Sequence, residues 1–176
     1  MRRPPKPLDF DALTAYAARI LSARAQSSSE LREKLRRRAA RAQDADLVIA
    51  RLKDAGYLDD KRFAESFANW RRDNDGFGKA RVLRDLMSRR VAPTVAHRAA
   101  EAAFIQSDEP AMIENFLARK YRGKNLGALL ADPKHLAAAF RKLRLAGFGA
   151  ANSIRVLKRY AADAARLEEF EEPEEA

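Results

Sequence analysis

The chain predicts an all-α protein built as three tandem three-helix repeats in an elongated stack. Apolar residues recur at helical spacing from Leu13 to Leu157, and no segment shows the β-branched alternation of a strand. The same long, short, short order of helices then returns along the chain. Leu31 and Leu35 match Val82 and Leu86 at a period of 51 residues, and Leu143 follows Leu86 by 57 at the corresponding place in a third unit. Units of this kind mainly contact their neighbours, which favours a slender stack over a globule. The expected divisions are a basic floppy arm over 1–9, repeats over 10–57, 58–106 and 107–165, and an acidic tail over 166–176.

Leu13, Tyr16, Ala17, Ile20 and Leu21 give the first helix one apolar face, opened by Asp9 or Asp11 and stopped before Ser27, Ser28 and Ser29. Those serines cap a second helix with Leu31 and Leu35 inward. A third, started by Asp44 or Asp46, carries Val48, Ile49 and Leu52. It closes at Gly56, a residue suited to the left-handed position past a helix end.

Gly56 to Trp70 is the junction on which the repeats turn. Asp59 is read as an N-cap, and Leu58 and Phe63 have the spacing of a hydrophobic staple. Phe63, Phe67 and Trp70 lie at i, i+4 and i+7 and are expected to bury an aromatic stripe. The neighbouring carboxylates of Asp59 and Asp60 are read as helix-start acids and not as a catalytic or metal pair, because adjacent helical residues point apart. The second repeat continues with helices from about Asp59 to Arg72, Lys79 to Arg90 and Pro93 to Phe104. The third begins at Met112, Ile113, Phe116 and Leu117, and carries an extra apolar piece at Leu126, Leu129 and Leu130 that accounts for its longer period. Leu136, Phe140 and Leu143 mark its second helix, ended by Gly147, and Ile154 and Leu157 its third. Pro93 and Pro110 fit first-turn positions, where a missing amide costs nothing.

Composition narrows the function. Lys and Arg number 35 against 25 Asp and Glu, a net charge of +10. Six of the acids (Glu168, Glu169, Glu171, Glu172, Glu174 and Glu175) stand in the last nine residues, which leaves 35 basic against 19 acidic residues, or +16, on residues 1–167. That balance implies a polyanionic partner, nucleic acid or an acidic protein surface ahead of a membrane. The absence of cysteine excludes disulfides, thiolate metal sites and cysteine nucleophiles and fits a reducing cytoplasm. The basic start is followed by Leu-Asp-Phe-Asp and not by an apolar run, so no secretion signal is expected. The tail is expected to be disordered in the free protein, to fold transiently over basic residues and to compete with the polyanionic partner.

Catalytic and metal readings find little support. Asp73-Asn74-Asp75-Gly76 has Arg71 where the first ligand of a calcium loop should stand and no closing glutamate, so it reads as a turn. Gly76-Phe77-Gly78-Lys79 lacks the spacing of a phosphate cradle. His97 and His135 read as surface residues without a carboxylate partner at a suggestive spacing, and no base is apparent for Ser27, Ser28 or Ser29. No enzyme, cofactor or metal is expected. The cationic residues remain, as a basic strip that faces a partner or DNA: Arg32, Arg36 and Arg37 in the first unit; Lys79, Arg81, Arg84, Arg89 and Arg90 in the second; Arg119, Lys120, Arg122, Arg141 and Arg144, with Lys142, in the third.

Gly56-Tyr57-Leu58-Asp59-Asp60-Lys61-Arg62-Phe63-Ala64 is similar to the junction between the first and second repeats of the RecX regulatory proteins, modulators of the RecA recombinase. Ser29 to Leu35, Gly78-Lys79 leading into Arg81 to Leu86, and Arg119 to Gly123 support the resemblance, which covers roughly residues 12–163. Ala39-Ala40-Arg41-Ala42 departs from it, standing where a Gly-aromatic end is expected on the second helix. The resemblance implies a cytoplasmic, monomeric regulator of three tandem three-helix repeats. Such a regulator binds the RecA filament in its helical groove, mostly inhibits its activity in recombination and repair, and needs no catalytic residue. Bare single-stranded DNA would bind weakly and without sequence preference. The alternative is a stand-alone DNA-binding protein of helix-turn-helix type. The acidic, alanine-rich start of the first unit's last helix around Asp44 and Asp46 weighs against it, while Arg155, Lys158 and Arg159 in the third unit favour it.

Overall fold

A computed structural model describes residues 6–161 and Ala164, and the chain folds as helices α1 (Phe10–Ala23), α2 (Ser28–Arg36), α3 (Ala42–Asp54), α4 (Asp60–Trp70), α5 (Lys79–Ser88), α6 (Pro93–Phe104), α7 (Glu109–Lys120), α8 (Leu126–Leu130), α9 (Pro133–Leu145) and α10 (Ala150–Leu157). The acidic tail, with its expected disorder, and residues 1–5 of the arm lie outside the described residues. Strands are absent among those described, apart from an isolated parallel bridge between Leu8 and Ala39. That bridge corrects one expectation. Leu8, assigned to a floppy arm, donates to the Arg38 carbonyl at 2.7 Å and accepts from the Ala40 amide at 2.7 Å, so its backbone is satisfied by the turn between α2 and α3. The described residues form two compact units, one running to Phe67 with Asp85–Ala99 added, the other comprising Ala68–Arg84 and the residues from Ala100 onward.

The first unit buries Leu13 and Ala17 of α1, Leu31 and Leu35 of α2, and Val48, Ile49 and Leu52 of α3, with Leu58 beside them. Asp9 caps α1 by accepting from the Ala12 amide at 3.0 Å, and Ser27 caps α2 by accepting from Glu30 at 3.0 Å. The third helix starts earlier than its acids suggest. It begins at Ala42 after Arg41, and Asp44 lies buried in the first turn 3.2 Å from the Arg41 guanidinium. A carboxylate there complements the helix dipole without being the cap.

At the junction, Gly56 adopts φ +74°, donates to the Lys53 carbonyl at 2.9 Å, and is followed by Tyr57 donating to Leu52 at 2.9 Å. These two bonds close α3 as a Schellman motif. Asp59 caps α4 through the Arg62 amide at 3.0 Å. The aromatic stripe differs from expectation: Ala64 and Ala68 are the buried residues of α4, Phe63 and Phe67 are half-buried with ring centroids 5.8 Å apart, and Trp70 is 54% exposed. Ala64 and Ala68 stand one position on from Phe63 and Phe67, about 100° around the helix, so the buried face is displaced from the ring-bearing one.

Beyond Trp70 the chain does not simply turn. It continues as a π-helical turn, Arg71–Asp75, ended by Gly76 at φ +64°. The second unit then packs Ile113 and Leu117 of α7, Leu130 of α8, Leu136, Phe140 and Leu143 of α9, Phe148, and Ile154 and Leu157 of α10. Phe116 and Phe148 meet edge to face at 5.6 Å. Pro110 sits in the first turn of α7 as expected, after the Asp108 cap.

One seam in this unit joins backbone to backbone. The Gly78 amide donates to the Ala146 carbonyl at 2.8 Å and the Ala80 amide to the Gly147 carbonyl at 3.2 Å, which ties the start of α5 to the turn between α9 and α10. A Cβ on Gly78 would collide with the Gly147 carbonyl, and one on Gly147, held at φ +91°, with the Arg81 amide.

Three stability outcomes follow from these contacts. Leu58→Ala costs about 2–4 kcal/mol in denaturant unfolding through lost burial and a cavity, and half-buried Phe63→Ala costs less. Gly147→Ala lowers the melting temperature more than Gly56→Ala, because Gly56 has no atom within 4 Å of a new Cβ and adds only left-handed strain of about 1–2 kcal/mol. Equal losses would place the seam elsewhere. The Arg62 amide holds the Asp59 carboxyl below its ordinary value. Its stabilisation is therefore present above the unfolded-state pKa and is lost as pH falls through the lower folded one. Asp59→Asn keeps most of the cap and flattens that acid-side loss in melts run across the range.

Candidate cationic interface

The cations singled out in the sequence divide sharply by what they touch. In the first unit most are met by carboxylates: Arg32 and Arg36 converge on Asp46 at 2.9 and 3.0 Å, Arg37 stands 2.9 Å and Arg90 3.8 Å from Glu33, and Arg89 lies 3.4 Å from Glu30. The hydrogen bond from Arg36 is the main cause that holds the Asp46 carboxyl below its ordinary value, so the pair is charged at neutral pH. Glu30 is a hub, since Arg24 at 2.6 Å and Lys34 at 3.3 Å share the oxygen that Arg89 approaches. Arg89 also covers the Phe67 ring, and its carbonyl accepts from the Ser27 hydroxyl at 2.5 Å. The serine cluster is thus structural: Ser27 ties α2 to the end of α5, and the Ser28 amide donates to Asp60 at 2.7 Å.

In the second unit Arg84, Arg119 and Arg144 meet backbone carbonyls, while Lys79 is paired with Glu101. Arg81 lies over the Phe77 ring, 5.3 Å from its centroid, with Arg71 also 4.6 Å from that centroid. Arg84 donates to the Leu145 carbonyl at 3.2 Å and Arg144 to Phe148 at 2.8 Å. Arg119 donates to the carbonyls of Asn74 at 3.2 Å and Asp75 at 3.0 Å, which satisfies the C-terminal end of the π-helical turn. Lys120, Arg122 and Arg141 are exposed, with no ion-pair or hydrogen-bond partner among the described residues.

Arg72, Asp73 and Gly76 on one side and Met112, Asn115, Ala118, Arg119 and Arg122 on the other line an open cleft of about 490 Å³. Met112, Asn115, Arg119 and Arg122 recur at helical spacing, so one face of α7 and the residues just past it form the wall. Arg72 also bonds the Ala103 carbonyl and forks onto Asp73 at 2.7 Å, which holds the arginine fully charged and the aspartate below its ordinary value. Three arginines face one carboxylate in this cleft. Its excess positive charge is therefore available to an anion. Periodicity could not reveal the cleft, because the π-helical turn that builds its far wall leaves no signature in the apolar pattern.

The remaining candidates resolve plainly. Asp73 and Asp75 are engaged by Arg72 and Arg71, and the described residues hold no group of three or more metal-ligating side chains. His97 is exposed, but His135 does have a carboxylate neighbour, contrary to expectation: its Nδ1 lies 3.3 Å from Asp132. Asp132 is the N-cap of α9 and both side chains are more than half exposed, which makes the contact part of a helix start. No helix of the described residues is long and apolar enough to cross a membrane.

A family model for the second three-helix domain of RecX matches residues 59–99. The chain is 34% identical over 137 residues to the Regulatory protein RecX of Herminiimonas arsenicoxydans, across 78% of this chain and 85% of that protein. It is 32% identical to that of Trichlorobacter lovleyi, across 75% and 80%. The crystal structure of RecX from Lactobacillus salivarius superposes with a TM-score of 0.63 at 18% identity, covering 86% of this chain and 96% of that one, which shows a shared fold.

Arg119 and Arg122 separate structure from charge. Arg119→Ala loses two bonds to carbonyls and lowers unfolding stability by about 1 kcal/mol, whereas Arg122→Ala leaves it within about 0.5 kcal/mol. Matched losses in denaturant titrations would show that Arg122 has a structural partner as well.

Proposed function

The chain belongs to the RecX family of regulatory proteins, and on that premise we propose that it is a cytoplasmic, monomeric modulator that binds RecA filaments on DNA and mostly inhibits RecA recombinase activity in recombination and repair. The observation that carries this reading is the match to relatives named as regulatory proteins over most of their length. The distribution of charge supports it: Lys120, Arg122 and Arg141 are exposed without partners, as a surface that meets a DNA-bearing filament requires. Nothing in the reading calls for a catalytic residue, a cofactor or a metal. The helix-turn-helix alternative draws on the cations of α10 and the residues after it, and it loses Arg159, which is 2.9 Å from Glu114.

A pull-down on RecA filaments assembled on single-stranded DNA, with the bare strand as control, discriminates the two. Retention on filaments is expected to exceed retention on bare strand, and binding to the bare strand to fall steeply with salt. Equal retention on both, or a strong preference for one duplex sequence at physiological salt, would favour the stand-alone DNA-binding protein. Arg122→Ala combined with Arg141→Ala is expected to weaken filament binding more than Arg36→Ala, whose guanidinium Asp46 already engages.

A further inference from the structure

The cleft in the second unit leaves its own charge unanswered. Arg119 meets only carbonyls, Arg122 meets nothing among the described residues, and Asp73 engages Arg72 alone. The same lining has an apolar part in Met112 and Ala118. The matching chemistry occurs in the chain itself: residues 168–176 carry six glutamates around a single aromatic residue, Phe170, and no cation.

The chain also brings that segment within reach. Arg159 donates to Glu114 of α7 at 2.9 Å and Tyr160 donates to the same carboxylate, so the last described turns lie beside the helix that walls the cleft. Arg119 is five residues beyond Glu114, about 7–8 Å along the axis at 1.5 Å per residue. Ala164 is packed in the core of the same unit, and Glu168 is four residues beyond it, up to about 13 Å of extended chain. The first unit offers a poorer seat, because Asp46, Glu33 and Glu30 already answer its arginines.

We propose that the acidic segment 168–176 binds at the Arg72, Arg119 and Arg122 cleft of its own chain and there excludes a polyanionic partner. The contact is made by exposed charges, so it is strong at low ionic strength and screened at high, where the Debye length falls to about 3 Å near 1 M salt. The proposal assumes nothing about the filament, and it is tested on the free full-length protein.

The chain has no cysteine, so Ala176→Cys accepts a single spin label. At low salt the label is expected to broaden the amide signals of Asn115, Ala118 and Arg122. The broadening should vanish near 1 M salt and in the Arg122→Glu background, a change at a residue with no structural partner. Removal of residues 168–176 should tighten binding of an oligothymidylate by about fivefold or more at low salt and by little at high salt. Broadening centred on α2, or none, overturns the proposal. So does broadening of an isotope-labelled, unspin-labelled chain by a mixed-in labelled one, which would assign the contact to a second copy. Unchanged oligothymidylate affinity across the salt series would overturn the exclusion.

Discussion

The second unit depends on two glycines that let backbone meet backbone. With Gly78 donating to Ala146 and Gly147 accepting from Ala80, the start of α5 is held against the turn after α9 at a distance no side chain could occupy. Amides at a helix start otherwise need water or a cap. Here carbonyls from a turn almost seventy residues away take that part. The requirement for glycine at both positions is therefore geometric, and at Gly147 it is doubled by the positive φ.

The same economy of partners shapes the charge pattern. Thirty-five cations on a small chain must either repel one another or be answered. In the first unit the cations of α2 and those just after α5 are answered by carboxylates, with Glu30, Glu33 and Asp46 each serving more than one cation. In the second unit several close helix ends through carbonyls, which satisfies hydrogen bonds while leaving the charge in place. An arginine that donates to Asn74 and Asp75 is fixed in position and still positive. Such a residue can hold a cleft in shape and attract an anion to it.

Much of the architecture was legible in the sequence because it depends on local rules. Apolar spacing located the helices, Pro93 and Pro110 marked two starts, and Gly56 and Asp59 marked a helix end and a helix cap that the structure contains. The errors have physical reasons. Phe63, Phe67 and Trp70 share a face, but burial went to Ala64 and Ala68 on the adjoining face, which a stripe of rings at the same period conceals in sequence. Asp44 was misplaced as a helix start, since a first-turn acid and an N-cap acid look alike in sequence. The π-helical turn after Trp70 contradicts no local preference and so gave no warning.

Residue types and spacing by themselves determined an all-α chain, the caps at Asp9, Ser27 and Asp59, and the excess of positive charge, each readable from composition or from neighbours within a few turns. Tertiary structure alone decided which cations remain unanswered, because Arg36 and Arg122 are indistinguishable until Asp46 is brought to one and nothing described to the other. It also decided how α10 begins: Gly149 has no side chain to cap it, and Glu109, forty residues earlier, accepts its amide at 2.9 Å. Both outcomes rest on contacts between residues far apart in the chain, which helical periodicity does not encode.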